Sequence, residues 1–224
     1  MLSTIIIGIL WYQIIAVFGI SAGLHRYFSH KQFRAGPLYE CVALFMVMLA
    51  GSRSPIGWVG AHRIHHLHAD TEHDPHSPDH KGWFRVLFNL WTVKSIPRKY
   101  IRDCLKNPRM VWFHRHWKKL HLGVAVISLL IHWKFFLAFV AIPWLLGFIG
   151  YGLFNLLGHK NHKPTNNWII NILAAGEGFH EPHHKNINLI RLHKWDFTGW
   201  VIEKLFQPAR PQNNNSSNRF KKII

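Results

Sequence analysis

Nineteen of the 224 residues are histidine, and eight of them fall in three short clusters: His25-Arg-Tyr-Phe-Ser-His30, His62-Arg-Ile-His65-His66 and His180-Glu-Pro-His183-His184. Neutral imidazole is the commonest metal ligand. Gathering many imidazoles away from water without a partner is costly, so clusters placed where apolar sequence meets polar sequence predict metal binding. An all-nitrogen ligand set suits iron, copper, nickel or zinc, whereas magnesium and calcium want oxygens. A structural zinc site needs only four ligands, and eight histidines suggest two ions.

Spacing limits what each cluster can do. On a helix advancing about 100° per residue, His62, His65 and His66 project from one side, yet the adjacent pair diverges enough to feed two neighbouring ions. His25 and His30 stand about 140° apart on an ideal helix, so they meet only if the helix unwinds between them. Pro182 suits a first helical turn, with Glu181 held out of the α region before it, which predicts that the third cluster opens a helix. His68, His73, His76, His80, His114, His116 and His193 read as solvated or headgroup-facing residues of basic loops. Cys41 and Cys104 stand apart with no Cys-x-x-Cys, so neither a thiolate zinc site nor a disulfide framework is implied.

The elements that must carry these clusters are apolar blocks. Hydrophobic residues make up 49% of the chain and charged ones only 17%, a balance that tilts toward a membrane protein. Ile5 to Leu24 is twenty residues without a charge, about 30 Å as a helix, which predicts a retained transmembrane helix rather than a cleaved signal peptide. Leu38 to Ala50 is too short to cross and suits a buried, interfacial or re-entrant helix. Leu122 to Leu157, interrupted by His132-Trp133-Lys134, fits a helical hairpin with its turn at that triplet. This arrangement puts all three histidine clusters on one side, together with every Lys and Arg except Lys134, and the positive-inside rule makes that side cytoplasmic. It also accounts for the formal net charge of +17 through orientation and contact with anionic headgroups. Without an RNA-binding aromatic motif, zinc finger or helix-turn-helix, nucleic acid is not expected as a partner. The expected fold is therefore all-α: an integral membrane protein with three transmembrane helices and a cytoplasmic cap holding two metals. Residues 1–210 form one domain, and 211–224, polar and basic, form a disordered tail.

The clusters His-x4-His, His-x2-His-His and His-x2-His-His, in this order, resemble the membrane-bound fatty acid desaturases, in particular the Δ9 acyl-CoA and acyl-lipid branch. The surrounding words match as well: Gly23-Leu-His-Arg-Tyr-Phe-Ser-His30, His65-His-Leu-His-Ala-Asp-Thr-Glu-His-Asp-Pro-His76 and Gly176-Glu-Gly-Phe-His180, with the likeness running over roughly residues 10 to 200. The resemblance implies two iron ions that use O2 and two electrons to remove two hydrogens from an unactivated acyl chain, on CoA or on a lipid. It also implies an Asn-x3-His at the end of the last transmembrane helix, here Asn155-Leu-Leu-Gly-His159; on spacing alone His159 reads equally as a snorkelling interfacial residue. By the same resemblance one iron takes His25, His30, His62, His66 and His184. The other takes His65, His159, His180 and His183, with Asn155 acting through water. Asp70, Asp74 and Glu177 sit beside the clusters as acceptors for imidazole N–H groups or as partners for nearby arginines. Most of the eleven tryptophans read as an interfacial belt, with some available to line an acyl tunnel.

Three features depart from the family pattern. One crossing precedes the first cluster where relatives usually have two, which leaves open a minimal fold or a truncated start. Lys81-Gly-Trp-Phe-Arg-Val lacks the usual continuation of the second cluster. A fused cytochrome b5 domain is absent, so a separate ferredoxin or cytochrome b5 is the expected electron donor, and a basic face suits an acidic partner. A lipid or alkane hydroxylase of the same histidine-box kind is the alternative, because the clusters do not separate the two outcomes.

Overall fold

The structure is a computed structural model in which residues 1–90, 93 and 95–210 are described; the expected tail, 211–224, lies outside them. Helix α1 (Leu2–Ile15) carries no charge and continues without a break into π-type turns over Ala16–Ser29. Helix α2 (Pro37–Leu49) packs along the π-type turns at Gly19 and Gly23. A Cβ on Gly19 would come within 2.8 Å of Met46 Cβ, and one on Gly23 within 3.0 Å of Ala43 Cβ, so the two backbones approach closely only because these residues lack side chains.

Three of the next five helices start at prolines, Pro55, Pro78 and Pro108, whose fixed φ suits the first helical position. Helix α3 (Pro55–His68) follows Ser54, whose Oγ accepts from the Gly57 N–H at 2.9 Å. Short helices α4 (Pro78–Lys81) and α5 (Trp83–Leu87) lead to α6 (Arg98–Lys106). Helix α7 (Pro108–Ile131) is capped by Asn107, which accepts from Met110 N–H at 3.1 Å. Leu24, Phe28, Ala43, Leu44, Val47, Ile56, Val59, Ile101, Cys104 and Met110 form one buried cluster that locks α2, α3, α6 and α7 onto the end of the π-type turns.

Helix α7 stops at His132, which is extended, and the chain re-enters a helix as α8 (Trp133–Phe136), a π-type turn (Leu137–Ala141) and α9 (Ile142–Leu157). The break falls at the polar triplet where the hairpin turn was expected, and His121 on one arm lies 5.2 Å from Trp144 on the other. The first arm differs from the expectation. Its helix begins at Pro108, and only the stretch from Leu122 to Ile131 is free of charge, so hydropathy alone does not mark it as a crossing. Among the described residues two helices, Leu2–Ser29 and Trp133–Leu157, are long and apolar enough to span a bilayer.

Both are poorly covered by protein: only 44% of the most apolar window of the first and 28% of that of the second is buried. Ile6, Ile7, Leu10, Leu130, Leu145 and Phe148 are each exposed, an apolar surface that suits association with a membrane. Of the remaining helices, α10 (Trp168–Leu173), α11 (His180–Lys185) and α12 (Phe197–Leu205), the first packs against α9 and the last against the π-type turns. A short antiparallel pairing of β1 (Phe33–Arg34) with β2 (Gln207–Pro208) fastens the end of the described chain beside the first cluster.

Candidate metal centre

His25 and His30 converge because the backbone around them has wider turns. The His30 N–H donates to the His25 carbonyl at 3.2 Å, an i→i+5 bond that puts residues five apart on successive turns, and the Ser29 hydroxyl repeats that spacing to Leu24 O at 2.7 Å. The helix therefore does not unwind between them as the spacing had suggested; it changes pitch. Their imidazoles stand 4.8 Å apart.

Helices α3 and α11 supply the rest, together with His159 just beyond α9. Nine imidazoles gather in two groups, His25, His30, His62, His66 and His183 in one and His65, His159, His180 and His184 in the other, with the ligand nitrogens of each group within 4.8 Å of one another. The groups adjoin where His66 and His184 stack at 4.3 Å. Each His-x2-His-His cluster sends its i, i+4 pair to one group and the histidine between them to the other. Residues four apart differ by only about 40° around a helix, so His62 travels with His66 and His180 with His184. This corrects the ligand sets implied by the resemblance, in which His183 and His184 were exchanged: pairing His180 with His183 would separate the two residues that share a face. His159, which could have snorkelled, is buried and joins the second group through His180, Nε2 to Nε2 at 3.0 Å.

Asn155 sits one turn before His159, half-buried, and its side chain makes no hydrogen bond among the described residues. Glu181, expected outside the α region, is helical, and Pro182 still falls in the first turn of α11. His73, His80 and His114 are exposed. His76, taken for a solvated residue, is buried with its ring 4.3 Å from that of His65. What hides it is Asp74, fully buried, whose Oδ1 accepts the His76 backbone N–H at 3.1 Å.

Carboxylates hold three of the imidazoles from behind. Glu177 Oε2 lies 3.0 Å from His25 Nδ1, Asp74 Oδ2 2.9 Å from His65 Nδ1, and Asp70 3.0 Å from His159 Nδ1. Of the three, only Glu177 is also paired with an arginine, accepting from Arg26 Nε at 2.8 Å and from the Ser21 hydroxyl. Arg26 itself was not singled out from the sequence; it is fully buried and has a second partner, Asp196. Its place between His25 and His30, two residues past the charge-free Ile5–Leu24 block, was the signal available.

Burial, reinforced by neighbouring imidazoles, holds His30, His62, His66, His180, His183 and His184 well below the usual imidazole pKa. They are neutral and able to ligate. His183 Nε2 lies 2.9 Å from His25 Nε2 and 3.0 Å from His66 Nε2; His180 Nε2 lies 3.0 Å from His159 Nε2 and 2.9 Å from His184 Nε2. With the protons of His65 and His159 directed at carboxylates through Nδ1, their Nε2 atoms present lone pairs. A single N–H on His183 or His180 can satisfy one of its two contacts, whereas a central cation satisfies them all, so the donor set fits a metal.

A helical protein with membrane-spanning apolar surface and two adjoining all-histidine groups belongs to a narrow class. The family model for fatty acid desaturases matches residues 3–189. The chain is 32% identical over 213 residues to the acyl-CoA C20 Delta5-desaturase of Anemone leveillei, covering 88% of this chain and 68% of that one. It is 29% identical over 195 residues to the sn-1 stearoyl-lipid 9-desaturase of Anabaena variabilis, covering 80% and 70%, and 28% identical over 211 residues to Delta-9 acyl-lipid desaturase 2 of Arabidopsis thaliana, covering 84% and 67%. The chain belongs to the fatty acid desaturase family and is an oxidoreductase acting in lipid metabolism.

Proposed function

We propose that the two histidine groups hold a pair of iron ions and that the chain inserts a cis double bond, at the Δ9 position, into a saturated acyl chain. O2 and two electrons from a separate donor, a ferredoxin or cytochrome b5, are consumed, and the acyl group is carried on CoA or on a membrane lipid. The observation that carries this reading is the convergence of nine histidines into two adjoining groups, with the ligand nitrogens of each within 4.8 Å of one another. Iron, when bound, supplies the redox chemistry that attack on an unactivated methylene requires and that zinc lacks.

The chain's own residues then have defined tasks. His25, His30, His62, His66 and His183 would hold one ion, and His65, His159, His180 and His184 the other, with Asn155 contributing through water. Glu177, Asp74 and Asp70 fix the tautomer and ring orientation of His25, His65 and His159. His180 and His183 are almost completely buried, which keeps bulk water from the reacting carbons. The Δ9 position is supported by the relatives named as 9-desaturases, in Anabaena variabilis and Arabidopsis thaliana. Three crossings with the histidines on the cytoplasmic side are supported by the break at His132 and by the placement of all Lys and Arg but Lys134 on one side.

The test uses iron-loaded protein in liposomes with O2 and a chemical or protein reductant, given a saturated acyl-CoA or a saturated glycerolipid in parallel. A monoene from either supports the reading and identifies the carrier. A hydroxylated chain would replace it with the hydroxylase alternative, and turnover by a zinc-only preparation would remove iron from it.

A further inference from the structure

The loop between α3 and α4, residues 69–77, serves only one of the two histidine groups. Asp74 Oδ2 accepts from His65 Nδ1 at 2.9 Å and from the Asp70 backbone N–H at 3.0 Å, while Oδ1 takes the His76 N–H. Asp70, held with a left-handed φ of 62°, turns both carboxylate oxygens to His159 Nδ1 at 3.0 Å. His65 and His159 come from α3 and from beyond α9, and this loop ties them together through the Asp70–Asp74 bond. Neither carboxylate meets a lysine or arginine among the described residues. The five-histidine group is served differently: its one carboxylate, Glu177, shares Arg26 with Asp196, so two negative charges there face a buried positive one.

We propose that the 69–77 loop makes the four-histidine group the tighter of the two divalent-cation sites, so that it fills first and the five-histidine group second. This rests on the reading that both groups are metal sites. Two buried, unneutralised carboxylates favour a cation directly, and by accepting the Nδ1 protons they raise the basicity of the opposite Nε2 atoms. A fifth neutral imidazole adds a ligand to the other group but no charge. In a desolvated site the charge difference outweighs it.

Metal-free protein in detergent is titrated with Co2+, following visible absorption and heat together. The expected course is a tight first equivalent and a weaker second one, resolved as two unequal steps in both signals. Asp70→Asn and Asp74→Asn should each weaken the first step by about 10- to 100-fold and leave the second in place. Glu177→Gln should do the reverse. Circular dichroism of the metal-free variants checks the fold, and if either loop variant unfolds, the Glu177→Gln response, a weakened second step with the first in place, decides alone. Two equal steps, a first step untouched by Asp70→Asn, or a first step weakened by Glu177→Gln would overturn the inference. Failure of wild-type protein to bind cobalt at all would instead overturn the metal reading beneath it.

Discussion

Asp196 grips Arg26 with both carboxylate oxygens, at 3.0 and 2.9 Å from the same guanidinium nitrogen, and neither residue is exposed. The same carboxylate caps α12 by accepting the Gly199 N–H at 2.8 Å and takes the Leu192 N–H at 2.9 Å. One side chain thus fixes the start of the last described helix to the segment that carries His25. Arg26 also donates to the Ile190 carbonyl and to Glu177, whose carboxylate lies 3.0 Å from His25 Nδ1.

Removing one partner of a buried pair leaves the other charge uncompensated. Asp196→Ala should therefore cost about 3–5 kcal/mol in stability. The half-exposed pair of Arg191 with Glu203, at 2.8 Å, serves as the contrast, and Glu203→Ala should cost at most about 1 kcal/mol. Thermal unfolding in detergent compares them; equal effects would mean that the Arg26 network adds nothing beyond a surface pair.

Glu40 on α2 gives a pH dependence. Burial pushes its carboxyl up, but hydrogen bonds from Asn107, Tyr27 and Arg109 outweigh this and hold its pKa below the usual value. A carboxylate with a lowered folded pKa stabilises the fold above its unfolded pKa, about 4.3, and that contribution is lost as pH falls through the lowered range. Glu40→Gln should thus lower the melting temperature at neutral pH and narrow its gap to wild type on acidification below about pH 4. A gap that is constant with pH would show that Glu40 acts through packing alone.

The division of ligands between the two groups predicts which histidine substitutions are redundant. His184→Ala and His180→Ala should each remove the same metal equivalent, so the double variant loses no more than either single one. His184→Ala combined with His183→Ala should lose both equivalents. Metal content by elemental analysis decides, and a redundant His183/His180 pair would restore the exchanged assignment.

Much of this site was legible from spacing because helix geometry is local. The i, i+3 and i, i+4 intervals of His62, His65 and His66 sufficed to predict that one cluster feeds two groups. The same intervals pair His180 with His184; which of the two groups that pair joins depends on how α11 is rotated against α3, a tertiary fact that spacing does not contain. His76 was misread because its burial comes from a loop folding back through Asp74, and loops have no period to read. The meeting of His25 and His30 was anticipated, but its means was not: a π-type register is set by packing against α2 at Gly19 and Gly23 and leaves no mark in an apolar pattern. The helical hairpin was anticipated in its turn and missed in its length, because the polar first half of α7 looks like a loop to a hydropathy reading.

The topology carries its own prediction. With single cysteines placed beside Lys134, His76 or His193, a membrane-impermeant thiol reagent applied to intact cells should reach only the first. Labelling of the His76 site without the His193 site, or the reverse, would separate the histidine clusters across the membrane and contradict their sharing one centre.

The central claim is tested most directly by the fatty acids of a desaturase-deficient host expressing this chain, analysed by gas chromatography with mass-spectrometric location of the double bond. The account predicts long-chain cis-monoenes unsaturated at the ninth carbon, formed only with O2 and absent from His62→Ala and His66→Ala controls. A saturated profile indistinguishable from those controls, from protein shown to carry iron and supplied with a working reductant, would contradict it.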